Sequence, residues 1–180
     1  MGETLLKATP VLGGLDLDIG GNRIVERADL ALVSIAVPLG GDARFELFKM
    51  PPPGRSVVQG DMRTVWMAPN QVMLIFPWAT PDAEVHVQGK LKGVGYTTDQ
   101  TGGWMVLEVS GPDTLGALER ICPVNLDPSV FPVDAAARTI MEHLGALIIR
   151  LGDERFLLAA ASSSAASFAH AVETSFRYVS

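Results

Sequence analysis

Cys122 is the only side chain in this sequence that could act as a thiol nucleophile. It follows a stretch, Pro112 to Ile121, whose Leu115, Leu118 and Ile121 are spaced for one face of a helix. A thiol at a helix C-terminus is pushed toward its neutral form by the macrodipole. Thiol catalysis also needs a base, and the sequence places none beside it. Cys122 therefore reads as a small core residue. His86, His143 and His170 stand far apart and in no metal-ligand spacing. The first and last fall in expected helices and His143 at a hairpin bend, so all three read as structural. Asp16-x-Asp18 resembles the opening of a calcium loop, but Gly20 takes the next ligand position and no glutamate closes it. Gly93-x-Gly95 lacks the third glycine of a dinucleotide fingerprint and follows a helix rather than a strand. Ser162 to Ser164 lack the flanking glycines of a nucleophile elbow and read as helix caps. Asp99 reads as a turn residue. The expectation is no catalytic, cofactor-binding or metal residue in this chain.

Residues suited to an interface remain. Trp66, Trp78 and Trp104 read first as core, but tryptophan is also enriched at interfaces. Trp66 and Pro69, beside an expected turn, are candidate interface residues. Arg138 is the third, in an expected strand between Ala137 and Thr139. A partly buried arginine takes a carboxylate or carbonyl partner. Two readings stand: an internal partner such as Asp127 or Glu108, or an acidic group on another subunit.

Composition frames these residues. The chain has 180 residues, 48% hydrophobic and 19% charged, with a formal net charge of −6. That is one apolar-rich globular domain with surplus surface for a partner. The acidic balance, with scattered lysines and arginines, argues against nucleic acid and anionic membranes as partners. A single cysteine excludes an internal disulfide and points to a reducing cytoplasm. No signal peptide is expected at the N-terminus, and no apolar run is long enough to span a bilayer.

The elements that must position these residues follow from period and punctuation. Residues 1–28 read as an irregular arm with at most one short strand. Leu30 to Val37 is a buried strand. Asp42 to Met50 reads as a short helix, with a hairpin arm as the rival, and Pro51-Pro52-Pro53-Gly54 ends it. Arg63 to Ala68 and Val72 to Phe76 form a hairpin. Thr80-Pro81-Asp82 opens a helix with Val85, Gln88 and Leu91 on one face, and Val94 to Thr98 is a strand. The order then repeats. Trp104 to Val109 is a strand and Pro112 to Ile121 a helix. Ala137 to Glu142 and Ala146 to Leu151 form a hairpin, Arg155 to Ala160 a strand, and a helix carries Phe168, Val172 and Phe176. The fold expected is α+β: a single domain over 1–180 of two pseudo-repeated β-α-β-β-α units with antiparallel sheets. The arm covers 1–28, one half 29–100 and the other 101–180.

Taken together, several motifs resemble a known family. They are Val65-Trp66-x-Ala68-Pro69, Thr98-Asp99, Val106-x-x-x-Ser110-Gly111-Pro112-Asp113, Cys122-Pro123-x-x-Leu126, Phe131-Pro132, Ala137-Arg138-Thr139 and Ser162 to Phe168. The ordered set, over about Leu30 to Phe176, resembles the gamma subunit of bacterial heterotetrameric sarcosine oxidase. The chain departs from that family at Asn125, where an acid is common, and at Asp134, where a glycine is common. The resemblance implies a fold like the folate-binding glycine-cleavage T-protein. It implies a non-catalytic subunit of a complex that demethylates sarcosine to glycine, yields hydrogen peroxide and passes the one-carbon unit to tetrahydrofolate. FAD, FMN, NAD, tetrahydrofolate and zinc would then belong to the alpha, beta and delta partner subunits. The T-protein type needs an Asp just after a Gly-Gly hairpin, whereas Gly145 to Ile149 here is aliphatic. The other reading is a free-standing folate-binding or one-carbon transferase.

Overall fold

The structure, a computed structural model, describes residues 9–38, 47–91 and 93–180. In chain order they form β1 (Asp16–Ile19), β2 (Asn22–Glu26), β3 (Leu30–Ala36), β4 (Ser56–Gln59), β5 (Met62–Ala68), β6 (Gln71–Pro77), α1 (Ala83–Leu91) and β7 (Tyr96–Asp99). There follow β8 (Trp104–Ser110), α2 (Thr114–Glu119), β9 (Ala136–Met141), β10 (Leu144–Gly152), β11 (Arg155–Ala161) and α3 (Ala165–Val179). Two antiparallel sheets result, ordered β1-β2-β8-β11-β10-β9 and β4-β5-β6-β3-β7.

The layers follow from which residues are apolar on both faces. β3 and β6 are buried along nearly their whole length, because helix covers one side and the other sheet the opposite side. Leu32, Val65, Met67 and Ile75 of the five-stranded sheet meet Val106, Leu147, Ile149 and Leu157 of the six-stranded one. α1 covers the outer face of the first sheet, and α2 and α3 that of the second. The molecule is an α+β sandwich of helix, sheet, sheet and helix.

The repeat lies in the strand order. β4-β5-β6-β3-β7 matches β9-β10-β11-β8-β2 slot for slot. β3 and β8 open at Leu30 and Trp104, and β2 and β7 at Asn22 and Tyr96, the same offset. Each repeat thus begins with a strand that it places in the other repeat's sheet: β2 pairs with β8, and β7 with β3.

Several local expectations change. The stretch expected as an irregular arm supplies two strands, β1 and β2. The fully buried Asn22 anchors them, donating to Ile19 O, Asp113 Oδ2 and Ser180 Oγ and accepting from Asp113 N. Gly111, at φ +131°, lies so close to Asn22 that a Cβ there would be 2.5 Å from its Oδ1. The helix expected over 42–50 falls outside the described residues for 42–46, and Leu47 to Met50 are not helical. β4 was not expected, because four residues between a Pro-rich turn and Gly60-Asp61 carry little periodic signal. Each repeat therefore places three strands in a run directly before its last helix, where the β-α-β-β-α reading has two. α1 turns Ala83, Val87 and Leu91 inward and leaves Val85 exposed. Ser162 to Ser164 form a 3-10 turn without a side-chain cap, and Ser162 Oγ donates to Gly102 O instead.

Candidate functional site

Strand alternation puts Ala136, Arg138 and Ile140 of β9 on the face of the six-stranded sheet that looks toward the other sheet. At one end that face runs beyond its cover. An open cleft of about 660 Å³ forms there, lined by Met67, Trp104, Arg138, Ile140, Gly145 and Ala161 among others. Its size suits a side-chain cluster or a small ligand. Register explains its shape. Ala161 lies opposite Trp104, and Gly145 opposite Ile140. Glycine and alanine make a low floor between a tryptophan and an isoleucine. Ile140 is 60% exposed, and the Trp104 indole donates to Gln100 Oε1.

At the other end of the same layer the sheet closes over charge. Glu108 sits four residues from Trp104 on the same face of β8, about 13 Å along the strand. It accepts from Arg155 Nε at 2.7 Å and from Arg27 Nη1, while Arg27 also clamps Asp29. Burial opposes ionisation of Glu108, but Arg155 and Arg27 outweigh it and hold the carboxyl below 4.5.

Arg138 lies at the open end and not as the sequence suggested. It is exposed rather than partly buried, and no carboxylate among the described residues pairs with it. Glu108 is taken by Arg27 and Arg155, and Asp127 by the amide and hydroxyl of Ser129. Neither internal partner named above, Asp127 or Glu108, pairs with it. The buried arginine is Arg150, which sequence reasoning missed. It is 1% exposed, donates to the carbonyls of Leu126, Phe131, Gly152 and Asp153, and stacks on Phe156. A cation inside the apolar run Leu147 to Leu151 was the available signal. It fixes the 122–134 loop, whose Asp134 adopts φ +66° at the position where the family resemblance expects glycine. Asp134 also accepts from Arg63 at 2.6 Å, tying the two sheets at the β4–β9 corner.

Trp66 and Pro69 do not join Arg138. Trp66 is half-buried on the face of β5 opposite Met67, and Pro69 is exposed in the β5–β6 turn. Cys122 is buried in the core beneath α2 and α3, and burial pushes its thiol up against a smaller opposing bond from the Val124 backbone. His86 packs on Trp78, His143 lies in the β9–β10 turn, and His170 is exposed on α3. Asp16 pairs with Arg23, Asp18 accepts the amide of Gly21, and Asp99 caps a turn through the Thr101 amide. Among the described residues no three of His, Cys, Asp and Glu converge. No described helix is long and apolar enough to cross a membrane.

Comparison with known proteins gives a consistent set of similarities. The chain is 28% identical over 94 residues to the sarcosine oxidase subunit gamma of Corynebacterium sp. (strain P-1), covering 52% of this chain and 46% of that one. It is 29% identical over 90 residues to the subunit gamma of Arthrobacter sp., covering 50% and 44%. The matched region thus spans about half the length of these curated relatives. Among solved structures, a chain of the heterotetrameric sarcosine oxidase from Corynebacterium sp. U-96, in complex with pyrrole 2-carboxylate, superposes with a TM-score of 0.73. The identity is 20%, over 88% of this chain and 85% of that one. The glycine cleavage system aminomethyltransferase T from Bartonella henselae superposes with a TM-score of 0.60 at 13% identity, over 82% of this chain and 44% of that one. No protein-family model matches the chain. The chain is therefore similar in sequence to sarcosine oxidase gamma subunits, and its fold is T-protein-like.

Proposed function

We propose that this chain is a gamma-type, non-catalytic subunit of a heterotetrameric sarcosine oxidase, assembled with alpha, beta and delta subunits in the cytoplasm. Sequence similarity to two gamma subunits, over about half of each, carries this reading. The fold match to a chain of such a complex supports it over most of the chain's length. In this reading the partner subunits hold FAD, FMN, NAD, tetrahydrofolate and zinc and perform the demethylation of sarcosine. This chain contributes a folded surface.

The residues accord with that division of labour. The β10 segment Gly145 to Ile149, where the T-protein type is expected to carry its carboxylate, turns Leu147 and Ile149 into the inter-sheet core and Ile148 under the helices. Among the described residues, no carboxylate lines the cleft.

The test is co-expression with the alpha, beta and delta chains, followed by native mass measurement and a sarcosine turnover assay. The expected result is a four-chain assembly that turns over sarcosine, and an isolated chain with neither flavin absorbance nor turnover. Sarcosine turnover by the single chain, or stoichiometric tetrahydrofolate binding to it, would overturn the reading.

A further inference from the structure

We propose that the free edge of β9 receives an extended, carboxylate-bearing segment of a partner subunit as an added strand, whose alternate side chains enter the cleft. This rests on the subunit reading above and names the surface it uses.

The backbone carries the first part of the argument. β9 is the last strand of its sheet. Met141 and Leu144 face each other across the two-residue turn Glu142-His143, both at positive φ, which makes them a hydrogen-bonded pair. Alternation then points the amides and carbonyls of Thr139 and Ala137 toward β10, and those of Ala136, Arg138 and Ile140 outward. Ala136 confirms the phase, since its N–H donates outward to Gly54 O at 2.9 Å. Segment 54–55 thus already occupies the start of this edge, bridging to Ala135. Beyond it, the N–H and C=O of Arg138 and Ile140 have no partner among the described residues. An open edge of this kind is a template for strand addition.

The side chains carry the second part. Arg138 and Ile140, whose backbone faces the open edge, also line the cleft. A strand laid against them would pass alternate residues over the Gly145–Ala161 floor, between Trp104 and Ile140. An apolar residue there would extend the inter-sheet core. Arg138 has no carboxylate partner among the described residues of a chain of net charge −6, so a carboxylate on the added strand, opposite or diagonal to it, supplies the missing charge.

The test is amide hydrogen exchange on the wild-type chain, alone and in the co-expressed four-chain complex. The amides of Arg138 and Ile140 are expected to slow at least about tenfold on assembly, while Thr139, bonded to β10, is protected in both states. Arg138→Glu is expected to lower recovery of the complex at least about tenfold, with Arg138→Lys retaining most of it. If the wild type assembles but both amides exchange equally fast free and bound, Arg138 only guards an edge against aggregation and the proposal is wrong, with the subunit reading intact. If the wild type forms no complex with the co-expressed chains, both readings fall together.

Discussion

The inter-sheet layer ends in two different ways along the same strand. At one end Glu108 collects Arg27 and Arg155, and Arg27 also holds Asp29, so these charges pair with one another. At the other, four residues along β8, Trp104 overlooks an open floor and Arg138 has no partner among the described residues. The strands are continuous between the two ends, so the sheet itself does not cause the difference. It comes from where acidic side chains stand. The closed end is finished by folding. Among the described residues, the open end is left with one cation, apolar walls and backbone groups without a partner, as the proposed strand addition requires.

Substitutions can break or sharpen this contrast, and Arg150 gives the largest expected effect. It is an arginine wholly spent inside the fold, as Arg138 is not. Arg150→Met strands four carbonyls and is expected to cost about 3–5 kcal/mol of stability. That is a melting-temperature drop on the order of 10 °C by calorimetry. Cys122→Ser comes next. A hydroxyl without a partner in the core beneath α2 and α3 is expected to cost about 1–3 kcal/mol. Sarcosine turnover of the assembled complex should stay within a few-fold; a collapse of turnover at unchanged melting temperature would make Cys122 catalytic.

Glu108→Gln tests the closed end and is expected to cost about 1 kcal/mol, since Arg155 is half exposed. Its pH dependence identifies the cause. Arg155 and Arg27 hold the Glu108 carboxyl below 4.5, so its contribution is present above 4.5 and lost as pH falls through the lower folded value. Urea unfolding of wild type and variant should therefore differ at pH 7 and converge in acid. The smallest effect is expected at the open end. Arg138→Ala should change the stability of the isolated chain by no more than about 0.5 kcal/mol, because no described group loses a partner. A loss as large as that of Arg150→Met would show that Arg138 belongs to the fold.

Much of this fold was legible because its signals are local. The β5–β6 and β9–β10 hairpins, the apolar stretch of β3 and the Phe168–Val172–Phe176 stripe each declare themselves within ten residues. β1 and β2 did not, because β8, which ties their hairpin to the sheet through β2, lies some eighty residues away and their own sequence is turn-rich. The cleft was less legible still. Its floor is Gly145 beside Ala161, a juxtaposition that exists only once β10 and β11 are in register. The two arginines were exchanged for the same reason. Flanking apolar residues mark a strand but not which face is roofed, and both Arg138 and Arg150 have such neighbours.

The exchange of β2 and β7 between sheets has a consequence for the order of events during synthesis. The N-terminal repeat emerges first but cannot complete its own sheet until β7 appears, and the β1–β2 hairpin has no sheet to join until β8 follows. Both repeats therefore commit late, through long loops whose closure must precede any reward from pairing. A chain cut after Gly93, between α1 and β7, would release two pieces, each holding a strand of the other's sheet. Neither should fold alone, and mixing them should restore one cooperative unit rather than two.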